Sequence, residues 1–336
     1  MSTTHTVDVV VIGGGAAGLN GALMLARSRR TVVVIDGGDP RNAPAEGVHG
    51  LLALDGTPPA ELLRRGREDV RRYGGRIVAG RVVSAGRDDD DDFRVELADD
   101  TVLRARRLLV ATGLRDELPD LPGLAEHWGR GLVHCPYCHG WEVRDEAIGV
   151  LGVGPASLHQ VLLFRQLSDD VVFFRGDVEL DGRTRARFEA RGVRVVDTPV
   201  AGVESDGHSI TGVRLADGRI VPRTVLAVAT TMLARTDGLD GLALPTEDVQ
   251  HGRRVVSGPA GTTAVPGVWV AGNVTDLTAQ VGASAAAGAL AGAHINADLA
   301  AAEAEAAVPE PFSPASEAAL TARIVGERRH GLPLPA

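Results

Sequence analysis

Val7-Asp8-Val9-Val10-Val11-Ile12-Gly13-Gly14-Gly15-Ala16-Ala17-Gly18 is an apolar β-branched run followed at once by a glycine-rich turn. The run predicts a buried parallel strand, and Leu19, Leu23 and Leu25 begin a helical pattern directly after it. In this GxGxxG arrangement Gly13 permits a tight turn, Gly15 lets the backbone approach a pyrophosphate, and Gly18 lets the helix pack on the strand. The helix N-terminus, entered through Ala16 and Ala17, offers free N–H groups and positive partial charge to phosphates. A second strand over residues 31–35 ends in Asp36, where a carboxylate can bind an adenosine ribose hydroxyl. A glycine-rich turn in some other α/β domain is the competing reading. The loop Gly37-Gly38-Asp39-Pro40-Arg41-Asn42 can lie along the rest of a long cofactor, although Arg41 and Asn42 read equally well as solvated loop residues.

Working outward, the 336 residues, 44% of them hydrophobic, suffice for a sizeable core and two domains. A net charge of −9 argues against nucleic acid or an anionic membrane as the partner. No apolar run approaches the roughly 20 residues that span a bilayer, and residues 1–6 lack the order of a secretory signal, so a cytoplasmic location is expected. Both cysteines fall in His134-Cys135-Pro136-Tyr137-Cys138-His139-Gly140-Trp141-Glu142. Two thiols at that spacing can close a small disulfide ring, flanking imidazoles can accept a thiol proton, and in a reducing compartment such a pair reads as catalytic. A zinc site on Cys135, Cys138, His134 and His139 would crowd four ligands onto six residues, so no metal is expected. His134 reads as a structural neighbour of the pair, and Glu142 either orients His139 or is a plain surface glutamate. Tyr137 and Trp141 either line a substrate pocket or pack the domain.

Farther along, residues 61–73 predict a charged surface helix and residues 76–103 alternate like antiparallel strands, with the acidic run 88–92 at a hairpin tip. Residues 107–110 form a strand leading into Ala111-Thr112-Gly113, and a proline-punctuated crossing follows at 116–123. A second nucleotide-type unit starts after the cysteines: strand 147–151, Gly152-Val153-Gly154-Pro155-Ala156-Ser157, helix, and strand 171–174. Residues 238–245 read as the return crossing. A strand then ends in Ala271-Gly272-Asn273, and residues 280–299 form an alanine-rich helix whose Gly282, Gly288 and Gly292 suggest close backbone packing. Residues 312–332 read as an amphipathic helix, with Arg328-Arg329-His330-Gly331 at its end.

Together GGGAAG, ATG, CxxC, the second GxGxxS and the late Ala-Gly-Asn, in that order over the first 300 or so residues, resemble the low-molecular-weight thioredoxin reductases. The resemblance implies an α/β fold of two Rossmann-like three-layer domains, the second inserted into the first. Residues 1–116 and 243–302 would bind FAD, residues 117–242 would form an NAD(P)-type domain carrying CxxC, and 303–336 would be a tail. It places FAD against Gly13, Gly15, Ala16, Ala17, Gly18, Asp36 and Gly37, and against Arg41, Asn42 and His49. Thr112, Gly113, Gly272, Asn273, Gln280 and Val281 complete the expected set. Cys138 would be the thiol nearest the flavin and Cys135 the one exchanging with substrate, in a homodimer. Asn273 stands where the family has aspartate. The basic HRRxxxR cluster that grips the NADPH 2′-phosphate is replaced by Phe173-Phe174-Arg175-Gly176-Asp177, which predicts weak NADPH binding. CPYCHG replaces CATCDG, with His139 at the position of the proton-donating aspartate. These departures resemble the dithiol oxidases that close disulfides in small molecules such as gliotoxin and holomycin, in which electrons pass from a dithiol to CxxC, to FAD and to dioxygen. Imidazole, with a reference pKa of about 6.5, suits a base for that direction. NADPH-dependent reduction of thioredoxin is the alternative.

Overall fold

Period-two alternation decides how the first sheet is buried. In β1 (Val7–Ile12), Val10 and Ile12 enter one core beside Val33 and Ile35 of β2 (Val32–Asp36), while Val9 and Val11 are fully buried on the other face. An unbroken β-branched run encodes this two-sided burial. The structure is a computed structural model that describes residues 6–89, 91–308 and 313–325. The chain forms two units, Met1–Ile295 and Asn296–Ala336. In the first, α1 (Ala16–Arg27) joins β1 to β2, and α2 (Pro59–Arg72) leads to β3 (Arg76–Ala79), β4 (Val82–Arg87), β5 (Phe93–Leu97) and β6 (Val102–Val110).

The sheet order is β3-β2-β1-β6-β5-β4. β4 and β5 are antiparallel, as alternation predicts, and the acidic run connects them. β3 departs from that expectation and pairs parallel with β2, because α2 carries the chain back to the starting edge before β3 begins. Alternation reports which faces are buried, not strand direction.

β7 (Leu114–Glu117) leaves this sheet for a second one, built from β8 (Leu132–Val133), α3 (Pro136–His139), β9 (Ile148–Leu151), α4 (Pro155–Phe164), β10 (Val171–Phe174), α5 (Gly182–Ala190) and β11 (Arg194–Val196). β12 (Val200–Ser205), β13 (Ile210–Leu215) and β14 (Ile220–Pro222) form a separate antiparallel layer before β15 (Val225–Val228) completes the parallel order β11-β10-β9-β15-β8. Alternation again sorts the faces: Val171 and Phe173 pack with Val161, Phe164 and Phe188 of the helices, while Val172 and Phe174 pack with Ile210, Val213 and Leu215 of the β layer. Phe173 and Phe188 meet edge to face, with ring centroids 5.6 Å apart. β16 (Thr231–Ala234) returns antiparallel to β7 and continues into β17 (Thr246–Val249) and β18 (Gly252–Val255). Residues 238–245 carry Leu239 and Leu242 into the first core. β19 (Val268–Val270) then rejoins the first sheet beside β6. The fold is therefore α/β with two Rossmann-like sheets, the second inserted between β6 and β19.

α6 (Val281–Ala306) follows, and α7 (Pro314–Val325) lies within the expected amphipathic helix, while Phe312 and residues 326–336 lie outside the described residues. No described helix is long and apolar enough to cross a membrane. Two of the three α6 glycines have the predicted role. A Cβ at Gly288 would lie 1.9 Å from the Ala17 carbonyl oxygen, and one at Gly292 would lie 2.6 Å from that of Gly21. At Gly282 the nearest atom is a Leu51 methyl at 3.5 Å, so this glycine is not required by packing. Gly288→Val is expected to lower stability by roughly 3 kcal/mol, read as a fall of several degrees in Tm, because helix backbones cannot move apart cheaply. Gly282→Ala is expected to leave Tm unchanged or higher.

Candidate active site

β1, β6 and β19 run parallel, so their C-terminal ends open on one edge, where an α/β sheet places its ligands. A cavity of about 1160 Å³ lies there, larger than most single-ligand sites and of dinucleotide scale. Gly13, with φ of +118°, makes the turn, and a Cβ there would meet the Ala111 carbonyl oxygen at 2.2 Å. Gly15 caps α1, and no atom lies within 4 Å of where its Cβ would stand, which leaves the phosphate cradle open. Gly18 is the exception to the expected set. It does not line the cavity; a Cβ there would meet the Gly13 carbonyl oxygen at 1.9 Å, so its role is packing. Ala16, Ala17, Gly37, Asn42, Thr112, Gly113 and Gly272 all line the wall.

Asp36 reaches the wall with its carboxylate held by Arg67 at 2.7 Å and by the Gly38 amide at 2.9 Å. A Cβ at Gly14 would collide with that carboxylate at 2.3 Å, so the glycine makes room for it. Arg41 lines the cavity, but its guanidinium is bonded to Asp116 through two hydrogen bonds of 2.6 and 2.7 Å. Thr230 donates to the same carboxylate at 2.6 Å. Arg41 thus ties the cofactor loop to Asp116 on β7 and to Thr230 just before β16. Burial acts to raise the Asp116 pKa, but the hydrogen bonds and charge of Arg41, the Thr230 hydroxyl and nearby His134 outweigh it, and the net shift is downward. A carboxylate depressed in the folded state stabilises above its unfolded value of about 3.9 and loses that contribution as pH falls through the folded one. Asp116→Ala, which removes a carboxylate only 5% exposed and leaves the Arg41 guanidinium without its partner, is expected to lower stability by roughly 3 kcal/mol near neutrality. Its unfolding free energy, measured in denaturant, is expected to fall less steeply than wild type below about pH 4.

Asn273 donates its amide N–H groups to the carbonyls of Asp276 at 2.9 Å and Ala279 at 2.9 Å. Carbonyls only accept, so the amide orientation is set and Oδ1 remains as the acceptor. An aspartate could not make these bonds. Gln280 and Val281 line the wall at the start of α6, whose N-terminal dipole favours negative charge there.

Cys135 and Cys138 form a disulfide on the wall of this same cavity, with Cα atoms 5.3 Å apart. Proline at the first position of α3 suits a helix start, and the Cys138 and His139 amides donate back to the Cys135 carbonyl, closing the turn. His139 lines the cavity, and no described residue bonds its ring. Glu142 does not orient His139: its Oε1 lies 3.4 Å from Nε2 of His49, a residue 93 positions earlier, whose Nδ1 is 3.6 Å from Asp55. Tyr137 lines the cavity, whereas Trp141 stands outside it under the Arg144 guanidinium at 4.3 Å. Gln160 on α4, invisible to sequence reasoning, reaches the wall and donates to the His134 carbonyl at 2.6 Å. Among the described residues no cluster of three or more His, Cys, Asp or Glu could hold a metal ion.

At the second glycine turn, Arg175 donates to Asp197 at 2.6 Å and to the Val178 carbonyl at 3.2 Å, and Arg185 joins Asp197 at 2.9 Å. Arg185 and then Arg175 hold the Asp197 pKa below its usual value. The arginine that directly follows β10 is therefore already held by a carboxylate and a carbonyl, and is not presented as a free fork for a phosphate.

The crystal structure of HlmI is 42% identical with a TM-score of 0.84, covering 97% of this chain and all of that one. An oxidoreductase from Agrobacterium tumefaciens is 34% identical with a TM-score of 0.82, covering 88% and 99%. Thioredoxin reductase tcpT from Claviceps purpurea is 37% identical over 292 residues, 81% of this chain and 88% of its own length. The family model for pyridine nucleotide-disulphide oxidoreductases matches residues 7–293, and the chain belongs to that family.

Proposed function

We propose that the protein oxidises a small-molecule dithiol to its intramolecular disulfide through Cys135 and Cys138, the electron pair passing on to FAD, which supplies a two-electron acceptor, and then to dioxygen. Family membership makes the chain an oxidoreductase acting on sulfur groups with FAD as its cofactor. The open cradle at Gly15, the Asp36 carboxylate and the start of α6 fit the phosphates, a ribose and the ring end of that group. In the lobe assignment we adopt, residues 1–116 and 243–302 hold FAD and 117–242 carry the disulfide, in a homodimer.

A substrate thiolate attacks Cys135 Sγ, breaking the Cys135–Cys138 bond and releasing Cys138 as thiolate. The second substrate thiol attacks the mixed disulfide, closes the product ring and releases Cys135. His139 takes a thiol proton. The observation that carries this direction over the reverse is Arg175, whose guanidinium is already bonded to Asp197. The relatives named thioredoxin reductases favour a second reading, NADPH-dependent reduction of thioredoxin. Anaerobic mixing separates the two. A dithiol is expected to bleach the flavin absorbance and, in air, to drive oxygen consumption, with little bleaching by NADPH. Fast bleaching by micromolar NADPH, with thioredoxin then reduced, would replace the first reading by the second.

A further inference from the structure

We infer that His134 is a second proton acceptor of the dithiol reaction, working beside Cys135 as His139 works beside Cys138; the inference rests on the dithiol-oxidising reading. The balance of the reaction calls for two acceptors. HS–R–SH and the Cys135–Cys138 disulfide give cyclic RS₂ and two cysteine thiolates, while two substrate S–H protons go to bases. One imidazole holds one of them.

The geometry supplies the second imidazole. His134 directly precedes Cys135 and lines the same cavity. Nδ1 lies 3.0 Å from the Val228 carbonyl oxygen, at the end of β15. A carbonyl cannot donate, so Nδ1 carries the hydrogen and the neutral ring keeps its lone pair on Nε2. No described residue bonds Nε2. The Thr230 hydroxyl, 3.5 Å from Nδ1, is committed to Asp116 and leaves that tautomer undisturbed. Gln160 fixes the main chain by donating to the His134 carbonyl. The charged and titratable groups facing the ring are Arg41 from the cofactor loop, Asp116 from β7 and His251 from the turn between β17 and β18. Burial, first, and then Arg41 lower the His134 pKa against the opposing Val228 carbonyl and Asp116, with His251 adding to the depression. The ring is therefore neutral near neutral pH and ready to accept a proton.

A purely structural role would need only the Nδ1–H bond. Asparagine can present an N–H at about that position but offers no basic nitrogen, so His134→Asn separates the two. With full-length FAD-loaded protein and dithiothreitol as probe, the anaerobic reduction rate at neutral pH is expected to fall about 10²-fold. The variant's rate should climb with hydroxide concentration through the pH range where wild type is level, and added imidazole should restore part of it, while Tm and the flavin spectrum stay unchanged. Iodoacetamide alkylation of Cys135 in the reduced protein reads the same group without turnover: loss of the imidazole should move its pH midpoint upward. A variant with wild-type rate, pH profile and alkylation midpoint overturns the inference, as does a slow variant whose profiles parallel wild type and that imidazole does not rescue. If dithiothreitol fails to reduce the wild-type protein, the dithiol-oxidising reading falls, and the alkylation midpoints alone decide whether His134 serves the Cys135 thiol.

Discussion

Serine at position 138 or at position 135 is expected to reduce dithiol-driven oxygen consumption by at least about 10⁴-fold, the scale on which removal of a reacting nucleophile is felt. Either change removes the only disulfide that the two cysteines can form, so no enzyme sulfur remains as electron acceptor from the substrate. Stability should change little. A ring closed by residues three apart accounts for about 2 kcal/mol in the chain-entropy picture, small enough for the variants to stay folded. The two variants should nevertheless differ. Cys138→Ser leaves Cys135 free to attack a linear disulfide such as cystamine, expelling one half as thiol, and with no second thiol on enzyme or adduct to resolve it the mixed disulfide persists as a mass increase of the other half. Cys135→Ser leaves only Cys138, which the roles above assign to the inner side, and should trap far less. An adduct found on Cys138 and not on Cys135 would interchange the two roles. Oxygen consumption persisting in both variants would remove the pair from the reaction.

What the sequence made legible was what depends on near neighbours along the chain. The strand, turn and helix at residues 7–27 could be read because Gly13 and Gly18 answer to each other within six residues: one turns the backbone, and the other lets the helix lie on the turned carbonyl. The cysteine pair could be read because its spacing is its chemistry. Contacts between distant segments could not. Arg41 looked like a loop residue facing a cofactor, yet its fork matches Asp116, 75 positions away. Glu142 reads either as a partner of its sequence neighbour His139 or as a plain surface glutamate, whereas the fold brings it to His49. Asn273 stands where the family has aspartate, and its amide donates to carbonyls that an aspartate would repel. Gly282 shows the same limit from the other side. A motif names a glycine without saying whether backbone, ligand or nothing at all occupies the space beside it, and only Gly15 of the first turn faces open space in the cavity.

That open space makes Gly15→Val the most selective change in the molecule. Gly15 has φ of −81° and ψ of −173°, extended backbone open to any L-residue, and its Cβ would meet no atom within 4 Å. Folding should therefore be nearly unaffected. The same is not true two residues earlier, where a side chain at Gly13 would need φ of +118° and would enter the Ala111 carbonyl, so Gly13→Val should fail to fold. The added isopropyl group at Gly15 fills the cradle in front of the α1 N-terminus, where phosphate oxygens would take the free N–H groups. Losing two charge-assisted hydrogen bonds of roughly 1.5 to 3 kcal/mol each predicts FAD affinity weaker by at least about 10²-fold. The variant should purify without the visible flavin absorbance, melt within a few degrees of flavin-free wild type, and retain a Cys135–Cys138 disulfide that dithiothreitol still reduces in a thiol titration. It should consume no oxygen, because the electron pair delivered to the cysteines has no onward acceptor. A yellow, fully active Gly15→Val protein would mean that the cofactor phosphates lie elsewhere, and the cavity at the strand ends would lose its assignment.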